Sequence, residues 1–209
     1  MSHPSLRPVT TARPPITTTL FDFFKVGPGP SSSHTIGPMK AACDFLELCR
    51  ALPSDTLARA EALRVELLGS LSATGIGHGT NVAVLAGLLG SQPETCPGDV
   101  LTSLGRDPDA RHDVSIGGKT LSVGLADVVF GPVAHDAPFS NTLRAFLLDA
   151  GGRSLFEREY YSVGGGFIQW QGWTPPERGK PRYPYGTMQE LRGHLAKTGL
   201  TLHELMLEN

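Results

Sequence analysis

The sequence predicts an α+β fold. Apolar residues recur at three- and four-residue steps in "PMKAACDFLELCR", the mark of a helix with one buried face. Farther on, two stretches of alternating apolar and polar residues fold back on themselves at glycines, the mark of β-hairpins. The composition suits one sizeable core: 209 residues, 40% apolar and 18% charged. A formal net charge of -2, with no run of lysine or arginine, offers no electrostatic basis for binding nucleic acid or an anionic membrane. Small molecules and other proteins remain as partners.

The elements follow in order. Residues 1–18 carry four prolines and little apolar content, so they are expected to form a disordered arm. After a short aromatic stretch, "GPGPSSSHTIGP" (residues 27–38) gives a loop that runs into a helix at Pro38, ending near Arg50. "LRVELLGSL" (63–71) alternates Leu63, Val65 and Leu67 with Arg64 and Glu66, as a half-buried strand does. "SATGIGHGT" (72–80) reads as a second, flexible loop, and "NVAVLAGLLG" (81–90), apolar all round, as a short buried helix capped by Thr80. Residues 91–111 read as irregular chain.

"VSIGGKTLSV" places Gly117 and Gly118 at a two-residue hairpin turn. "TLRAFLLDAGGRSLFEREYYSV" (142–163) gives a longer hairpin turning at 149–152 and leading into "GGGF", a third loop of small residues. Beyond the proline-rich stretch "WQGWTPPERGKPRYPYG", a helix is expected from Met188 to Lys197, capped by Gly199. A second helix starts from the capping box of Thr201 and Glu204.

Three small-residue loops, at 27–37, 74–80 and 162–166, therefore lie at element boundaries, and two carry a histidine. Backbone amides freed at helix starts, serine hydroxyls and an imidazole together make a receptor for a small anion such as a carboxylate or phosphate. Capping alone needs one serine, and this loop has three, Ser31, Ser32 and Ser33, followed by His34 and Thr35. His78, between two glycines, is unshielded, and histidine titrates near neutral pH, which suits a general base. The other histidines sit in tails, turns or helices with no partner pattern. Tyr160 and Tyr161 are expected to pack at a hairpin end.

Several familiar motifs are missing. The serine loop lacks the lysine of G-x-x-x-x-G-K-[ST], no G-x-S-x-G elbow occurs, and "GIGHGT" lacks the third glycine of a dinucleotide fingerprint. Cys43, Cys49 and Cys96 are odd in number and contain no C-x-x-C, so no disulfide framework, zinc or iron–sulfur motif is complete. Cys43 and Cys49 fall on the apolar side of a helix and read as buried small hydrophobes. No apolar stretch reaches the ~18 to 20 residues of a membrane span, and no secretory signal pattern opens the chain, so a cytoplasmic location is expected.

Taken together, "FDFFKVGPGPSSSHTIGPMKAA", "LLGSLSATGIGHGTNVAVLAGLLG" and "EYYSVGGGF" resemble the β domain of the iron–sulfur-dependent L-serine dehydratases, also called L-serine ammonia-lyases. The resemblance implies a mixed or antiparallel sheet with helices on one side, like the allosteric substrate-binding domain of phosphoglycerate dehydrogenases. It implies a β domain over 19–170, with residues 171–209 forming a linker and the first helices toward a missing catalytic α domain. It implies removal of water from L-serine to give an aminoacrylate that decays to pyruvate and ammonia. A 4Fe–4S cluster, with its cysteine ligands outside this chain, would act as Lewis acid on the substrate hydroxyl.

Carried over, Ser31, Ser32, Ser33, His34 and Thr35 would hold the carboxylate and amino group of serine, with Gly79, Gly164 and Gly165 beside them, and His78 would take the α-proton. The chain alone would be inactive, and the whole would assemble as a homo-oligomer without nucleic acid or membrane. Where the family commonly carries an aspartate this chain has Asn81, and where it carries a histidine this chain has Ser140. The reading from a different class is a stand-alone amino-acid-binding regulatory module without catalysis.

Overall fold

A computed structural model describes residues 24–174 and 180–209; the arm expected over 1–18 lies outside them. The chain divides into two units, one formed by Phe24–Trp173.

In that unit the serine stretch is wound rather than looped. Ser32–Ile36 forms a π-helical turn that continues directly into α1 (Gly37–Arg50). Pro38 sits in the first turn of α1, where its missing N–H costs nothing. The helix buries Met39, Ala42, Cys43, Leu46 and Cys49, spaced as the sequence predicts, and Phe45 beside them. After the short α2 (Ser54–Ala58), β1 (Ala60–Gly69) turns Leu63, Val65 and Leu67 inward and leaves Arg64 exposed.

The flexible loop predicted over 72–80 is instead α3 (Ser70–His78), and α4 (Thr80–Leu88) follows after Gly79. Glycine costs about 1 kcal/mol relative to alanine inside a helix, so Gly75 and Gly77 argue against one locally. Packing overrides them. Leu71 and Gly75 are buried, and a Cβ on Gly75 would stand 2.9 Å from Phe130 and 3.3 Å from Thr80, so glycine is what lets α3 seat so closely. Thr80 is not an N-cap: left-handed Gly79 holds that position, and the Thr80 hydroxyl is buried with no hydrogen-bond partner among the described residues.

The 91–111 stretch contains α5 (Val100–Gly105). Then β2 (Arg111–Ile116) and β3 (Lys119–Gly124) form the hairpin turning at Gly117 and Gly118. The remaining strands are β4 (Val128–Phe130), β5 (Asn141–Asp149), β6 (Ser154–Ser162) and β7 (Ile168–Trp170). The main sheet runs β4-β1-β5-β6-β7, with β4 parallel to β1 and every other pair antiparallel, so it is mixed as expected.

Register puts Leu63 opposite Leu147, Val65 opposite Ala145 and Leu67 opposite Leu143, so one sheet face is continuously apolar. Helices α1, α3 and α4 cover that face, and the β2–β3 hairpin adds Val114, Ile116, Leu121 and Val123 to the same core. Phe45 of α1 stacks on Phe156 with ring centroids 5.5 Å apart. Tyr160, fully buried, donates its hydroxyl to Asp44 at 2.6 Å and so pins α1 to β6; burial and the adjacent carboxylate push its ionisation well above the usual tyrosine range. Packing is thus the role of Tyr160. The opposite face carries Arg144 paired with Glu159 at 2.7 Å.

The second unit, described at residue 174 and over 180–209, holds α6 (Met188–Thr198) and α7 (Leu202–Glu208), each opened by a capping box, Thr187 with Glu190 and Thr201 with Glu204. Gly199 ends α6 in the left-handed conformation, as predicted. Tyr185, Leu191 and Leu205 form its small core. Among the described residues no helix is long and apolar enough to cross a membrane.

Candidate functional site

The π-turn presents its side chains in a fixed pattern. Ser31 caps it by accepting a hydrogen bond from the His34 N–H at 3.2 Å, so the capping role belongs to this one serine. Ser33 Oγ lies 3.0 Å from His34 Nδ1 and 3.4 Å from Ser31 Oγ. The other ring nitrogen of His34 lies 3.1 Å from Ser70 Oγ, at the first residue of α3. The His34 ring is therefore held at both ends by hydroxyls. Ser31, Ser32, Ser33 and His34 are half-buried, whereas Thr35 is fully buried and donates its hydroxyl to the His78 carbonyl at 3.3 Å.

His78 ends α3 and its ring stands 4.7 Å from that of His34, centroid to centroid. Its Nδ1 lies 2.9 Å from the Thr74 carbonyl oxygen. A carbonyl can only accept, so Nδ1 carries the hydrogen and Nε2 carries the lone pair of the neutral ring. That is the arrangement a general base needs: one nitrogen anchored to the backbone, the other basic.

Burial holds His34 below the ordinary histidine value of 6.5, and the charge on a protonated His78 lowers it further. Folding thus favours neutral His34, and the unfolded chain binds more protons at mildly acidic pH. The stability this brings is lost as pH falls from 6.5 toward the lower folded value. A nuclear magnetic resonance titration is expected to place the His34 midpoint below 6.5, and His78→Ala to raise it part of the way back. An unchanged midpoint in that variant would mean the two rings are not electrostatically linked.

The third loop joins the same place. Ser162, the last residue of β6, donates its hydroxyl to the Ser33 carbonyl at 2.7 Å. Gly164, Gly165 and Gly166 follow, all at positive φ (92°, 57° and 73°), closed by Val163 N–H to the Phe167 carbonyl at 3.1 Å and Phe167 N–H to the Gly164 carbonyl at 3.0 Å. A Cβ on Gly166 would stand 3.0 Å from Ile36 of the π-turn. The structure thus brings Ser31–Thr35, His78 with Gly79, and the glycine loop into one neighbourhood.

Sequence reasoning misses Ser70 and Asn141, and Ser162 enters it only as the first residue of the 162–166 loop. Asn141 lies across the ladder from Gly69 and donates to the Ser162 carbonyl at 3.3 Å. Each is a lone polar residue at a strand end, a signal too weak to find without the register.

The cysteines do not fit an iron–sulfur ligand set. Cys43 and Cys49 are buried, and burial pushes both thiols up to about 12, far from the thiolate a metal requires. Cys43 donates to the Ser91 carbonyl at 3.0 Å, and burial raises Cys96 as well. Among the described residues no group of three His, Cys, Asp or Glu side chains is placed to hold a metal ion.

Residues 19–173 match the family described as "Serine dehydratase beta chain". The chain is 37% identical over 204 residues to "L-serine dehydratase 2" of Escherichia coli K12, covering 91% of this chain and 42% of that protein. It is 37% identical over 203 residues to "L-serine dehydratase" of Streptomyces coelicolor, covering 91% and 43%. The same name and identity recur in Mycobacterium bovis over 199 residues, covering 93% and 42%. The chain therefore spans less than half the length of these relatives.

Proposed function

Since the chain belongs to the serine dehydratase beta chain family, we propose that it is the β-domain portion of an L-serine ammonia-lyase, which converts L-serine to pyruvate and ammonia. The observation that carries this reading is the His34–His78 pair, 4.7 Å apart, with the basic nitrogen of His78 left free by its Nδ1 bond. His78 Nε2 takes the α-proton, the electron pair forms the Cα=Cβ bond as the Cβ–O bond breaks, and the departing hydroxide takes up a proton, in net the one abstracted from Cα, and leaves as water. The 2-aminoacrylate so formed hydrolyses to pyruvate and ammonia.

The α-proton of an amino acid is a weak acid, so a neutral imidazole removes it only where the developing charge is stabilised. The hydroxyls of Ser31, Ser32 and Ser33 and the amides of the glycine loop at Gly164 and Gly165 are suited to the carboxylate, and Gly79 leaves the approach to His78 open. His34, its two ring nitrogens engaged by the Ser33 and Ser70 hydroxyls, holds those hydroxyls in place, and burial favours its neutral form, so it adds no competing charge. Thr35 acts through His78, whose backbone it holds.

The 4Fe–4S cluster of this reading has its ligands outside the chain, in an α domain that residues 171–209 lead toward from the β domain of 19–170. The completed protein works in the cytoplasm as a homo-oligomer. The chain reconstituted with a cysteine-bearing α domain is expected to form pyruvate from L-serine. A complex that co-purifies with its cluster intact and forms none would overturn the reading in favour of a regulatory module.

A further inference from the structure

Lys25 lies in the segment that leads into the serine stretch, and its side chain is folded against the glycine loop. The stem packs on Gly166, where a Cβ would stand 3.1 Å from Lys25 Cγ, and Nζ lies 4.4 Å from the centre of the Phe167 ring. That ring in turn backs Gly165, 3.2 Å from where its Cβ would be. Lys25, Phe167 and the glycines therefore form layers at one rim of the site, and any side chain on Gly166 would push the lysine stem away.

The lysine is half-buried, and among the described residues it forms no ion pair with a carboxylate. An aromatic face holds an ammonium in place but does not neutralise it. Most half-buried cations in this unit are matched: Arg158 has Asp44 at 3.9 Å, Lys119 has Glu61 at 2.7 Å, and Arg144 has Glu159 at 2.7 Å. Lys25 has no carboxylate partner among the described residues and lies beside three successive glycines at positive φ, a backbone without side chains that lets an anion approach its amides. The serine turn on the other side of Ile36 offers hydroxyls, which orient an anion without supplying charge.

We propose that Lys25 is the cation that binds the carboxylate of the amino-acid ligand, in concert with the backbone of Gly164 and Gly165. This rests on the amino-acid-binding reading above and adds to it which end of the ligand faces the glycine loop: the carboxylate lies toward Lys25 and the α-carbon toward His78. The ammonium is pre-placed by Phe167, so little side-chain entropy is lost on binding.

The test is calorimetric titration of the chain with L-serine and with L-serinamide, which keeps the amine and hydroxyl and lacks the carboxylate. The wild-type chain is expected to bind L-serine at least about tenfold more tightly than the amide, the worth of one charge-assisted contact. Lys25→Gln is expected to reduce that preference to about twofold or less, and Lys25→Arg, which keeps the charge, to retain most of it. A preference for L-serine that persists undiminished in a folded Lys25→Gln, or no preference in the wild type, overturns the assignment of Lys25 while leaving amino-acid binding intact. Binding of neither compound by the wild-type chain overturns both.

Discussion

His78→Ala is expected to lower turnover of L-serine by at least ~10²-fold in the enzyme completed with its α domain, because a positioned general base contributes that much or more. The residue is confined by two independent restraints, the Nδ1 bond to Thr74 at 2.9 Å and the Thr35 hydroxyl on its carbonyl at 3.3 Å, so its Nε2 has a defined direction. Alanine is a better helix former than histidine and sits at the end of α3, so the fold should survive. On the proposed mechanism the loss falls on kcat while KM changes little, since there the α-proton moves in the transition state and the carboxylate is bound elsewhere. Steady-state kinetics with cluster content monitored decides the matter. Turnover within tenfold of wild type removes His78 from the role of base.

Gly69→Ala is expected to cost roughly 3 kcal/mol or more, which for a chain of this size lowers Tm by roughly 6–12 °C. Gly69 adopts φ 59° and ψ -128°, a region essentially closed to residues with a Cβ. A Cβ would also run into the Ser140 carbonyl oxygen and stand 2.5 Å from His135 Nε2. The strain has a use. The turn ends β1 and starts α3 at the next residue, which puts Ser70 Oγ against His34 while the Ser70 N–H donates to Ser140 at 2.7 Å. Thermal unfolding reads the stability, and the His34 titration reads the site: with Ser70 displaced, the His34 midpoint should move with the fall in Tm. A variant as stable as wild type would mean the turn relaxes without cost.

What was legible in the sequence followed from local chemistry. Pro38 and the spacing of Met39, Ala42, Leu46 and Cys49 specify α1, the Gly117–Gly118 pair specifies its hairpin, and Thr201 with Glu204 specifies the start of α7. The strands β4 and β7 were not legible because three residues carry no periodicity, and β4 pairs in parallel with a strand some sixty residues away. Helix α3 was hidden by its glycines, whose low propensity is outweighed by the close seating of Gly75 against Phe130 and Thr80. In the candidate site, the histidines and serines announced themselves by residue type. Their convergence depends on Ser70 and Ser162, two serines placed by where β1 and β6 end.

In the proposed function the serine turn, the end of α3 and the glycine loop together receive one amino acid. The most direct measurement is a nuclear magnetic resonance titration of the isotope-labelled chain with L-serine, following backbone amides and histidine rings. Saturable shifts are expected at Ser31–Thr35, His78, Gly79, Gly164 and Gly165, with a common midpoint. Shifts confined to the opposite sheet face around Arg144 and Glu159, with His34 and His78 unmoved, would contradict it.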